Sequence, residues 1–598
     1  MPINSRFSVS IPNCSIQQWV FGSASGPLPD KKAWIDADRP RTHHLSYSEA
    51  RLLAKRIAAG LLENGLKPGD RVLLFSGNSI FFPIIVMGIW MAGGIFTGAN
   101  PGYVARELAF QLKDSRASTM IAAEEALDVA LDAAAQVGIS SKSVFMIDST
   151  WPDSPVLESQ PRKGSRHWTE LIASKAKGEE FTWNEPEDSK NLTCTLNYSS
   201  GTTGIPKGVE ISHYNHVANG LGVVTFHKLN KEYEARTRRA AALCFLPMYH
   251  AFSQGYFISC LPYERIPVYV MPSFDFPKML AHIQAFRITK LLAVPPILVL
   301  MSKHPLTRHA DLSSIDMIAS GAAPLARDTQ REIDSMMPQG ESMVRQGWGM
   351  TEATCTALSW DPNKPSSSAV GELMPDCQAR LVDIDTGAEI TSASTCGELW
   401  ITGPTVMRGY WRNPTATQEA LVTDSDGTRW LRTGDVAYVE DYARGTLFHV
   451  VDRVKELIKV NGSQVAPAEL ESLLLKREDV ADAAVVGVVI DGEELPRGYV
   501  VKTPSGKDTT ENDIVEWLAK RVIWYKRLKG GVVFVDAIPK VPVSLDHPLI
   551  SSQPPYIHHM LPSYKLTIIL QSGKILRKVL RERAQREVSS DREVRAKL

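Results

Sequence analysis

Cysteine is scarce in this chain and follows no pattern that would cross-link it or bind a metal. The 598 residues include seven cysteines, an odd number, and no two of them form a Cys-x-x-Cys pair. Disulfide frameworks and structural zinc sites need paired, regularly spaced cysteines. We therefore expect neither, and the composition suits a reducing compartment. The scattered positions are Cys14, Cys194, Cys244, Cys260, Cys355, Cys377 and Cys396.

An excess of charge of either sign is also missing. Lys and Arg number 66, and Asp and Glu also number 66. Nucleic acids and anionic membrane surfaces attract proteins through a basic excess. Neither is expected as the main partner, so the charge of any substrate must be bound by local groups.

The sequence offers no export signal and no uninterrupted membrane span. Residues 1–30 lack the basic-then-apolar arrangement of a signal peptide. The longest apolar run, residues 81–98, contains Pro83, Gly88, Gly93 and Gly94. Because these breaks are poorly suited to a bilayer-spanning helix, we predict a buried helix followed by a turn. The chain is not expected to be transmembrane.

What the chain has in abundance is alternation of helix and strand signals. Ser46 and Glu49 form a capping box before a periodic run, and residues 71–75 follow as an apolar strand. Such alternation predicts an α/β fold with a largely parallel sheet. The pattern changes to short strands and turns after residue 370, which indicates a β-rich subdomain. Beyond Asp452 it becomes that of a compact α+β module.

The length implies several domains, because 598 residues exceed what one hydrophobic core supports. We predict a large N-terminal domain of several subdomains at residues 1–451 and a hinge at 452–455. A small mobile α+β domain should follow at 456–598. The charged run at 228–239 is predicted to be a surface excursion of the large domain.

The most informative stretch is residues 198–208, Tyr-Ser-Ser-Gly-Thr-Thr-Gly-Ile-Pro-Lys-Gly, which follows a predicted strand at 192–197. Backbone N–H groups, hydroxyls and a lysine clustered in one loop form a phosphate cradle. The pattern is not a Walker loop, since Pro206 and Gly208 stand where that loop needs a glycine and a magnesium-binding hydroxyl. An ordinary kinase or GTPase is therefore not expected.

Five later stretches accompany this loop. They are Leu-Pro-Met-Tyr-His at 246–250, Ser-Gly-Ala-Ala-Pro at 320–324, Gln-Gly-Trp-Gly-Met-Thr-Glu at 346–352, Leu-Arg-Thr-Gly-Asp at 431–435 and Asp-Arg-Val-Lys-Glu-Leu-Ile-Lys at 452–459. In this order they resemble the adenylate-forming acyl-CoA ligase superfamily, which includes 4-coumarate-CoA ligase, firefly luciferase and nonribosomal peptide adenylation domains. The resemblance spans about residues 45–585. It implies that ATP converts a carboxylic acid to an acyl-adenylate, from which CoA then displaces AMP.

The resemblance implies a site for the phosphates and a metal. Thr202, Thr203 and Lys207 would contact the β- and γ-phosphates of ATP, and Thr351 would contact the α-phosphate. Glu352 would bind Mg²⁺, since a carboxylate is a hard ligand.

The same resemblance implies a site for the adenosine. Trp348 stands where the family has tyrosine and would stack on adenine, with the π-face kept and the phenol lost. Asp435 and Arg453 would reach the ribose. The implied ATP- and AMP-binding residues are Ser199, Ser200, Gly201, Thr202, Thr203, Gly204, Lys207, Ala322, Trp348, Gly349, Thr351, Asp435 and Arg453.

An acyl pocket is implied beside the nucleotide. His250 would border the reacting carboxylate and the route of the thiol. Phe252, Gly321 and Met350 would line the pocket. Coumarate ligases often have tyrosine where Phe252 stands, so a 4-hydroxycinnamate is a less natural guest.

The C-terminal motifs imply a moving module. Lys455 would be the hinge, and Lys459 and Gln464 would serve the active site after the module turns, because two reactions at one carbonyl cannot use the same wall. Gly462 is the implied CoA contact. Lys574 would bridge the carboxylate and the α-phosphate during adenylation.

The loop that carries this last lysine is interrupted. Residues 538–542 and 572–578 together match the family pattern, and residues 543–571 separate them. The intervening stretch begins with Val-Ser, which GTAAGT can encode, and ends with Gln, which CAG can encode. Leu-Thr near its end can come from a CTAAC branch sequence. We hypothesise a retained intron or a gene-model error, with a true insertion as the alternative.

These observations predict an ATP- and Mg²⁺-dependent acyl-CoA ligase, similar to the 4-coumarate-CoA ligase-like enzymes of fungi. Its substrate would be a fatty, aryl-alkanoic or secondary-metabolite acid. Two alternatives stay open: an adenylating enzyme that passes the acyl group to a carrier protein, and a nucleotide-binding protein inactivated by the insertion.

The final residues are Ala596, Lys597 and Leu598, a variant of the Ser-Lys-Leu peroxisomal address. They predict recognition by the peroxisomal import receptor and a location in the peroxisome.

Overall fold

The architecture is given by a computed structural model that describes residues 2–199, 206–337, 344–460, 463–490, 493–542 and 571–596. In chain order the strands are β1 (Ile3–Asn4), β2 (Lys32–Asp36), β3 (His44–Ser46), β4 (Arg71–Phe75), β5 (Ile95–Ala99), β6 (Ala117–Ala123), β7 (Val144–Ile147), β8 (Arg166–His167), β9 (Thr193–Ser199), β10 (Lys207–Ser212), β11 (Ala242–Cys244), β12 (Val268–Val270), β13 (Lys290–Ala293), β14 (Met317–Ser320), β15 (Val344–Gln346), β16 (Trp348–Gly349), β17 (Thr356–Ser359), β18 (Glu372–Leu373), β19 (Gln378–Val382), β20 (Glu389–Ile390), β21 (Gly397–Thr402), β22 (Gly409–Tyr410), β23 (Leu421–Thr423), β24 (Arg429–Val439), β25 (Phe448–Arg453), β26 (Ile458–Val460), β27 (Ser463–Val465), β28 (Val480–Ile490), β29 (Glu493–Lys502), β30 (Val532–Phe534), β31 (Lys540–Pro542) and β32 (Gln571–Ile575).

The helices lie between these strands. They are α1 (Ile16–Phe21), α2 (Tyr47–Glu63), α3 (Phe82–Met91), α4 (Ala105–Ser115), α5 (Leu127–Gln136), α6 (Lys175–Glu180), α7 (His213–Lys228), α8 (Tyr233–Arg239), α9 (Ala251–Ser253), α10 (Leu261–Tyr263), α11 (Phe276–Ala285), α12 (Pro295–Lys303), α13 (Arg327–Met336), α14 (Pro414–Ala420), α15 (Pro467–Leu474), α16 (Glu511–Ala519) and α17 (Arg577–Ala596). A π-helical segment, Gln254–Cys260, joins α9 to α10.

Local sequence signals account for the first α/β unit. The Ser46 hydroxyl accepts the backbone N–H of Glu49 at 3.2 Å, and the Glu49 carboxylate accepts the N–H of Ser46 at 2.8 Å. This reciprocal cap starts α2 where the chain must leave β3. Strand β4 follows and pairs in parallel with β5 and β6. The predicted α/β class with parallel sheets is confirmed.

Two largely parallel sheets form the body of the large domain. One has the order β22-β10-β9-β5-β4-β6-β7-β8, and the other has the order β15-β14-β13-β11-β12-β2-β3. The pairs from β15 to β2 are all parallel. Ligands bind at the carboxyl ends of parallel strands in open α/β sheets, so the edge beyond β14 and β15 is the place to look for a site.

The β-rich region and the C-terminal module complete the chain. An antiparallel sheet follows the order β1-β19-β21-β24-β23, with β25 also paired to β24. The core of the large domain extends to Phe448 and Val450, and the next apolar cluster begins at Ile458. The two cores separate in the region where the hinge is predicted.

The C-terminal module contains a short sheet, β28-β29-β30, and an antiparallel hairpin of β31 and β32. In the hairpin Lys540 pairs with Ile575 and Pro542 pairs with Gln571. The two halves of the interrupted motif are therefore strand partners, and the separating stretch, 543–570, lies outside the described residues.

The apolar run at 81–98 forms α3 and β5. Every residue of α3 is buried. Among the described residues, none of the helices is both long and apolar enough to span a membrane.

Candidate active site

One cavity of about 270 Å³ lies at the carboxyl ends of β14 and β15. Gly321 follows β14 directly, and Gly347 follows β15. The predicted site residues that line this cavity are His250, Phe252, Gly321, Ala322, Trp348, Gly349, Met350 and Thr351. Residues far apart in sequence thus share one wall because their strands are neighbours.

The predicted adenine side of the cavity is built on closely approaching backbone. Ala322 has φ of 71°, a left-handed conformation that costs on the order of 1–3 kcal/mol for a residue other than glycine. A Cβ on Gly349 would lie 1.7 Å from the Cys355 carbonyl oxygen, so only glycine fits there. Small residues leave this backbone accessible to a flat ligand.

Trp348 is bonded to the predicted ribose residue. Its indole N–H donates to Asp435 Oδ2 at 2.8 Å. Arg453 Nε lies 3.1 Å from Asp435 Oδ1. Asp435 thus lies between an indole N–H and a guanidinium, which orient its carboxylate next to Trp348 of the cavity wall. The tryptophan in place of the family's tyrosine therefore contributes a hydrogen bond as well as a ring face.

The predicted phosphate side is flanked by the antiparallel pair β9 and β10, in which Ser199 lies opposite Lys207. The Ser199 hydroxyl and the Tyr410 hydroxyl both donate to Glu352 Oε1, at 2.8 and 2.9 Å. Lys207 Nζ lies 5.0 Å from the Tyr410 ring centroid. Burial and the adjacent Glu352 raise the pKa of Tyr410, so it stays a neutral donor. These groups bring a cation and a buried carboxylate to the two ends of the predicted phosphate loop.

His250 and Phe252 lie on a further wall of the cavity, at the start of α9. His250 is exposed and precedes α9 as its N-cap, where Nδ1 accepts the Phe252 backbone N–H at 3.4 Å. In the neutral ring Nε2 then carries the proton. The Phe252 ring lies 3.7 Å from where a Cβ of Gly321 would be, and it packs edge-on against Tyr256 at 5.3 Å.

The structure separates Lys459 and Gln464 from this cavity. Their side chains reach Asp385 of the β-rich region, at 3.4 and 3.5 Å. Lys455 lies in the turn between β25 and β26, and its carbonyl accepts from Arg581 at 3.0 Å. The backbone of Lys574 lies in β32, which approaches α12 of the large domain.

Some predicted positions lie outside the described residues. They are Ser200, Gly201, Thr202, Thr203, Gly204 and Gly462, together with Lys597 and Leu598 of the C-terminal tripeptide.

Arg577 is a structural residue that the motif alone does not explain. Its guanidinium bonds Glu456 at 2.8 Å, both oxygens of Glu471 and the Val485 carbonyl at 3.1 Å. Three residues beyond Lys574, it ties the hairpin to the interior of the module. Its place in a Lys-Ile-Leu-Arg motif was the available signal.

The charged run at 228–239 lies at the surface, and part of it also contributes to the cavity, which the sequence did not predict. It contains α8, whose Tyr233, Arg236 and Thr237 line the cavity while Glu234 and Arg238 are exposed. The i, i+3, i+4 spacing of the inward residues was the signal that could have shown this.

Known proteins with similar sequences and structures show the family of this chain. Residues 23–411 match the AMP-binding enzyme family, and residues 469–543 match the AMP-binding enzyme C-terminal domain. Phenylacetyl-CoA ligase epaB of Aspergillus niger is 36% identical over 89% of this chain and 95% of that protein. 4-Coumarate–CoA ligase 2 of Oryza sativa subsp. japonica is 35% identical over 88% of this chain and 90% of that protein.

Among solved structures, ATP-bound MatB from Rhodopseudomonas palustris superposes with a TM-score of 0.76 at 25% identity, covering 96% of this chain and 99% of that chain. The chain belongs to the AMP-binding enzyme family, as an AMP-forming acyl-CoA synthetase that uses ATP to convert a carboxylic acid to its CoA thioester.

Proposed function

We propose that the cavity beyond β14 and β15 is where the acid is adenylated, and that the acid is a fatty or aryl-alkanoic one. The observation that carries this is the shared cavity in which Trp348 and Gly321 meet Phe252 and His250. A nucleotide face and an apolar face adjoin there, as attack of a carboxylate on the α-phosphorus requires. Holding both reactants in line supplies much of the rate enhancement.

The phosphate end would be bound by charge. Lys207 offers a cation to the leaving pyrophosphate, and Thr351 offers a hydroxyl to the α-phosphate. Glu352 fits Mg²⁺, because a buried carboxylate beside a phosphate loop provides the hard oxygen that this ion takes in nucleotide sites. When bound, the ion would neutralise phosphate charge.

The adenosine would lie on Trp348 and the small residues at 321–322. Asp435, oriented by the indole N–H at 2.8 Å, would accept the ribose hydroxyls. Two acceptor oxygens suit two neighbouring hydroxyl donors.

The module would act in two positions. In the described arrangement β32, with Lys574, approaches α12, while Lys459 and Gln464 lie on Asp385. This supports adenylation as the half-reaction for which the module is placed. Turning about Lys455 would bring the other face to the cavity for thioester formation, with Gly462 contacting CoA.

An aromatic wall supports the choice of acid. Phe226, Phe252 and Tyr256 line the cavity, and flat aromatic surfaces favour apolar or aryl guests. One relative is named for phenylacetate. Import into peroxisomes through the C-terminal tripeptide stays a prediction, and a fluorescent fusion with and without residues 596–598 tests it.

A screen of acids by ATP–pyrophosphate exchange, followed by CoA-dependent AMP release, tests the proposal. Lys207→Met should lower exchange by at least roughly 100-fold. Lys190→Met is the matched control, because Lys190 also lies over a tyrosine ring, that of Tyr214 at 4.8 Å, on the surface. Nucleotide binding without exchange would contradict the proposal and favour an inactive binding protein. AMP release that needs a carrier protein instead of CoA would favour the other alternative.

A further inference from the structure

The far end of the acid cavity differs in chemistry from its beginning. Helix α7 and the helical run from α9 to α10 lie side by side. Phe252, Tyr256, Cys260 and Glu264 follow one another at intervals of four residues along that run, which places them on one face. The face begins with an aromatic residue beside Gly321 and ends, three turns later, with a carboxylate.

Helix α7 supplies the opposite wall in the same order. Asn219 Oδ1 lies 3.8 Å from where a Cβ of Gly255 would be. Eight residues later His227 meets Glu264, with Nδ1 and Oε2 2.9 Å apart. The two walls therefore run in the same direction, away from His250, and His227 and Glu264 meet at their far end.

Glu264 holds the side chains at the polar end of the cavity in place. Its side chain is fully buried and bonds His227 and Tyr233. Burial alone would raise the pKa of Glu264, but the charge and hydrogen bond of His227, with Lys290 and Tyr233, hold it at about 2. The carboxylate thus fixes His227 through Nδ1, which leaves Nε2 as the ring nitrogen available to the cavity.

Lys290 adds a cation at this end. It opens β13, lines the cavity and is half-buried. Within the described ranges its ammonium has no carboxylate within ion-pair distance, and its charge acts on Glu264 from further away. Among the other charged lining residues, Arg236 pairs with Glu232 at 3.1 Å and Asp316 with Arg239 at 2.7 Å. Arg345 donates to the backbone carbonyls of Val344 and Lys364, at 3.5 and 3.2 Å.

His227, Cys260 and Glu264 place potential ligand atoms within 4.8 Å of one another. A metal ion is nevertheless poorly supported there. The 2.9 Å separation of Nδ1 and Oε2 is that of a hydrogen bond, and the adjacent Lys290 ammonium would repel a cation. The group is better suited to holding His227 in place than to binding a metal.

We infer that the acid activated by this enzyme carries an oxygen group, a hydroxyl or a carboxylate, at the end remote from its reacting carboxyl, and that the Lys290 ammonium donates to it beside His227 Nε2. Burying these polar groups against a purely apolar guest would leave them without partners, which is costly. The apolar stretch between Phe252 and Cys260 would hold the body of the acid. The inference rests on the proposed function of the cavity and narrows its substrate class.

Matched acids test the inference with the full chain. The probes are octanoate, 8-hydroxyoctanoate and octanedioate, and 3-phenylpropanoate with its 4-hydroxy and 4-carboxy derivatives. We expect kcat/KM in pyrophosphate exchange to be at least about tenfold higher for the best oxygen-bearing acid of a series than for its plain partner.

Lys290→Met should bring that ratio to within about threefold, by lowering kcat/KM for the oxygen-bearing acid. Lys290→Arg should retain the preference. Lys231→Met, on the exposed turn before α8, is the matched control and should leave the ratio as it is.

The outcomes separate this inference from the proposed function. Equal or better use of the plain acids by the unaltered enzyme overturns the inference and leaves adenylation in place. A preference that survives Lys290→Met overturns the assignment of the residues. Exchange with no acid in either series overturns the proposed function, and the inference with it.

Discussion

The cavity and the C-terminal module differ in how their catalytic groups are placed. Trp348, Phe252 and Gly321 are fixed by strands and helices of one continuous hydrophobic core. Lys574 and Lys459 lie on a module with apolar clusters of its own. The cavity is therefore built by the fold of the large domain. The contribution of each lysine depends on where the module lies.

This difference explains how one cavity can serve two reactions. One edge of the module, β32, approaches α12, while another holds Asp385 through Lys459 and Gln464. These last contacts are exposed and long, so they contribute little to stability. The module can leave this arrangement without disturbing a core.

The largest effect should come from breaking the module at Arg577. Arg577→Met leaves Glu471 and Glu456 without their buried partner, which should cost roughly 3–5 kcal/mol of module stability. Urea unfolding monitored by hydrogen exchange should show loss confined to residues after 456. Arg583→Met, which removes an exposed ion pair to Glu587, is the control. Equal protection of the module in both variants would contradict this account of Arg577.

Removing residues 543–571 tests how far the placement of Lys574 on the module limits adenylation. Because a catalytic lysine needs exact placement, joining Pro542 to Ser572 should speed adenylation by roughly 10- to 100-fold and change thiolysis of synthetic acyl-adenylate little. Stopped-flow measurements of both steps check this.

Sequencing the cDNA decides whether the stretch belongs to the protein. A transcript that retains it, together with a full-length enzyme as active as the shortened one, would refute the retained-intron hypothesis.

A smaller effect is expected within the cavity. Trp348→Phe keeps the ring face and removes the N–H that orients Asp435, so the KM of ATP should rise by roughly tenfold. The KM of synthetic acyl-adenylate in thiolysis should rise as well, because that molecule carries the same adenosine. Trp430→Phe is the control, since it removes a similar bond to Asp424, at 2.8 Å, away from the cavity. A rise of the same size in both variants would mean that the bond to Asp435 has no special role.

The smallest effect is on pH dependence. Burial lowers the pKa of His213 to about 3 and of His216 to about 4. Both must stay neutral in the folded large domain, so their contribution to stability is present above pH 6.5 and is lost as the pH falls. The loss is about 1.4 kcal/mol per histidine and pH unit. Urea unfolding at pH 7 and 5, compared with a His213→Asn, His216→Gln variant, measures it.

Asp452, in the predicted hinge, should make stability depend on pH in the opposite direction. Burial raises the pKa of Asp452 to about 6 despite the nearby Arg577. Its contribution to stability is therefore greatest at low pH and is lost as the pH rises through 6. If the unaltered protein and the His213→Asn, His216→Gln variant lose the same free energy of unfolding between pH 7 and 5, the assignment for the histidines is contradicted.

Local signals were enough to predict the elements of the large domain. The Ser46 capping box and the apolar strand β4 depend on residues a few positions apart, and the structure has both. The order of motifs was enough to predict which residues share the cavity. Both kinds of information are written directly in the sequence.

Contacts between distant segments could not be predicted in this way. The bond from Trp348 to Asp435 joins residues 87 positions apart. The replacement of the family's tyrosine by Trp348 therefore predicted only a ring face that stacks on adenine, and not this bond. Helix α8 looks like a solvated charged run because most of its side chains are exposed, and only packing shows that Tyr233 faces the cavity. The contact of Lys459 with Asp385 depends on the module position, which no local pattern encodes.

The central claim is that the two faces of the module serve different half-reactions. Stopped-flow rates of acyl-adenylate formation and of acyl-adenylate thiolysis test it in Lys574→Ala and Lys459→Ala, with Lys578→Ala as the control. We predict that Lys574→Ala slows the first step by at least roughly 100-fold and leaves the second within about threefold, and that Lys459→Ala does the reverse. Equal loss of both steps in each variant would contradict the claim.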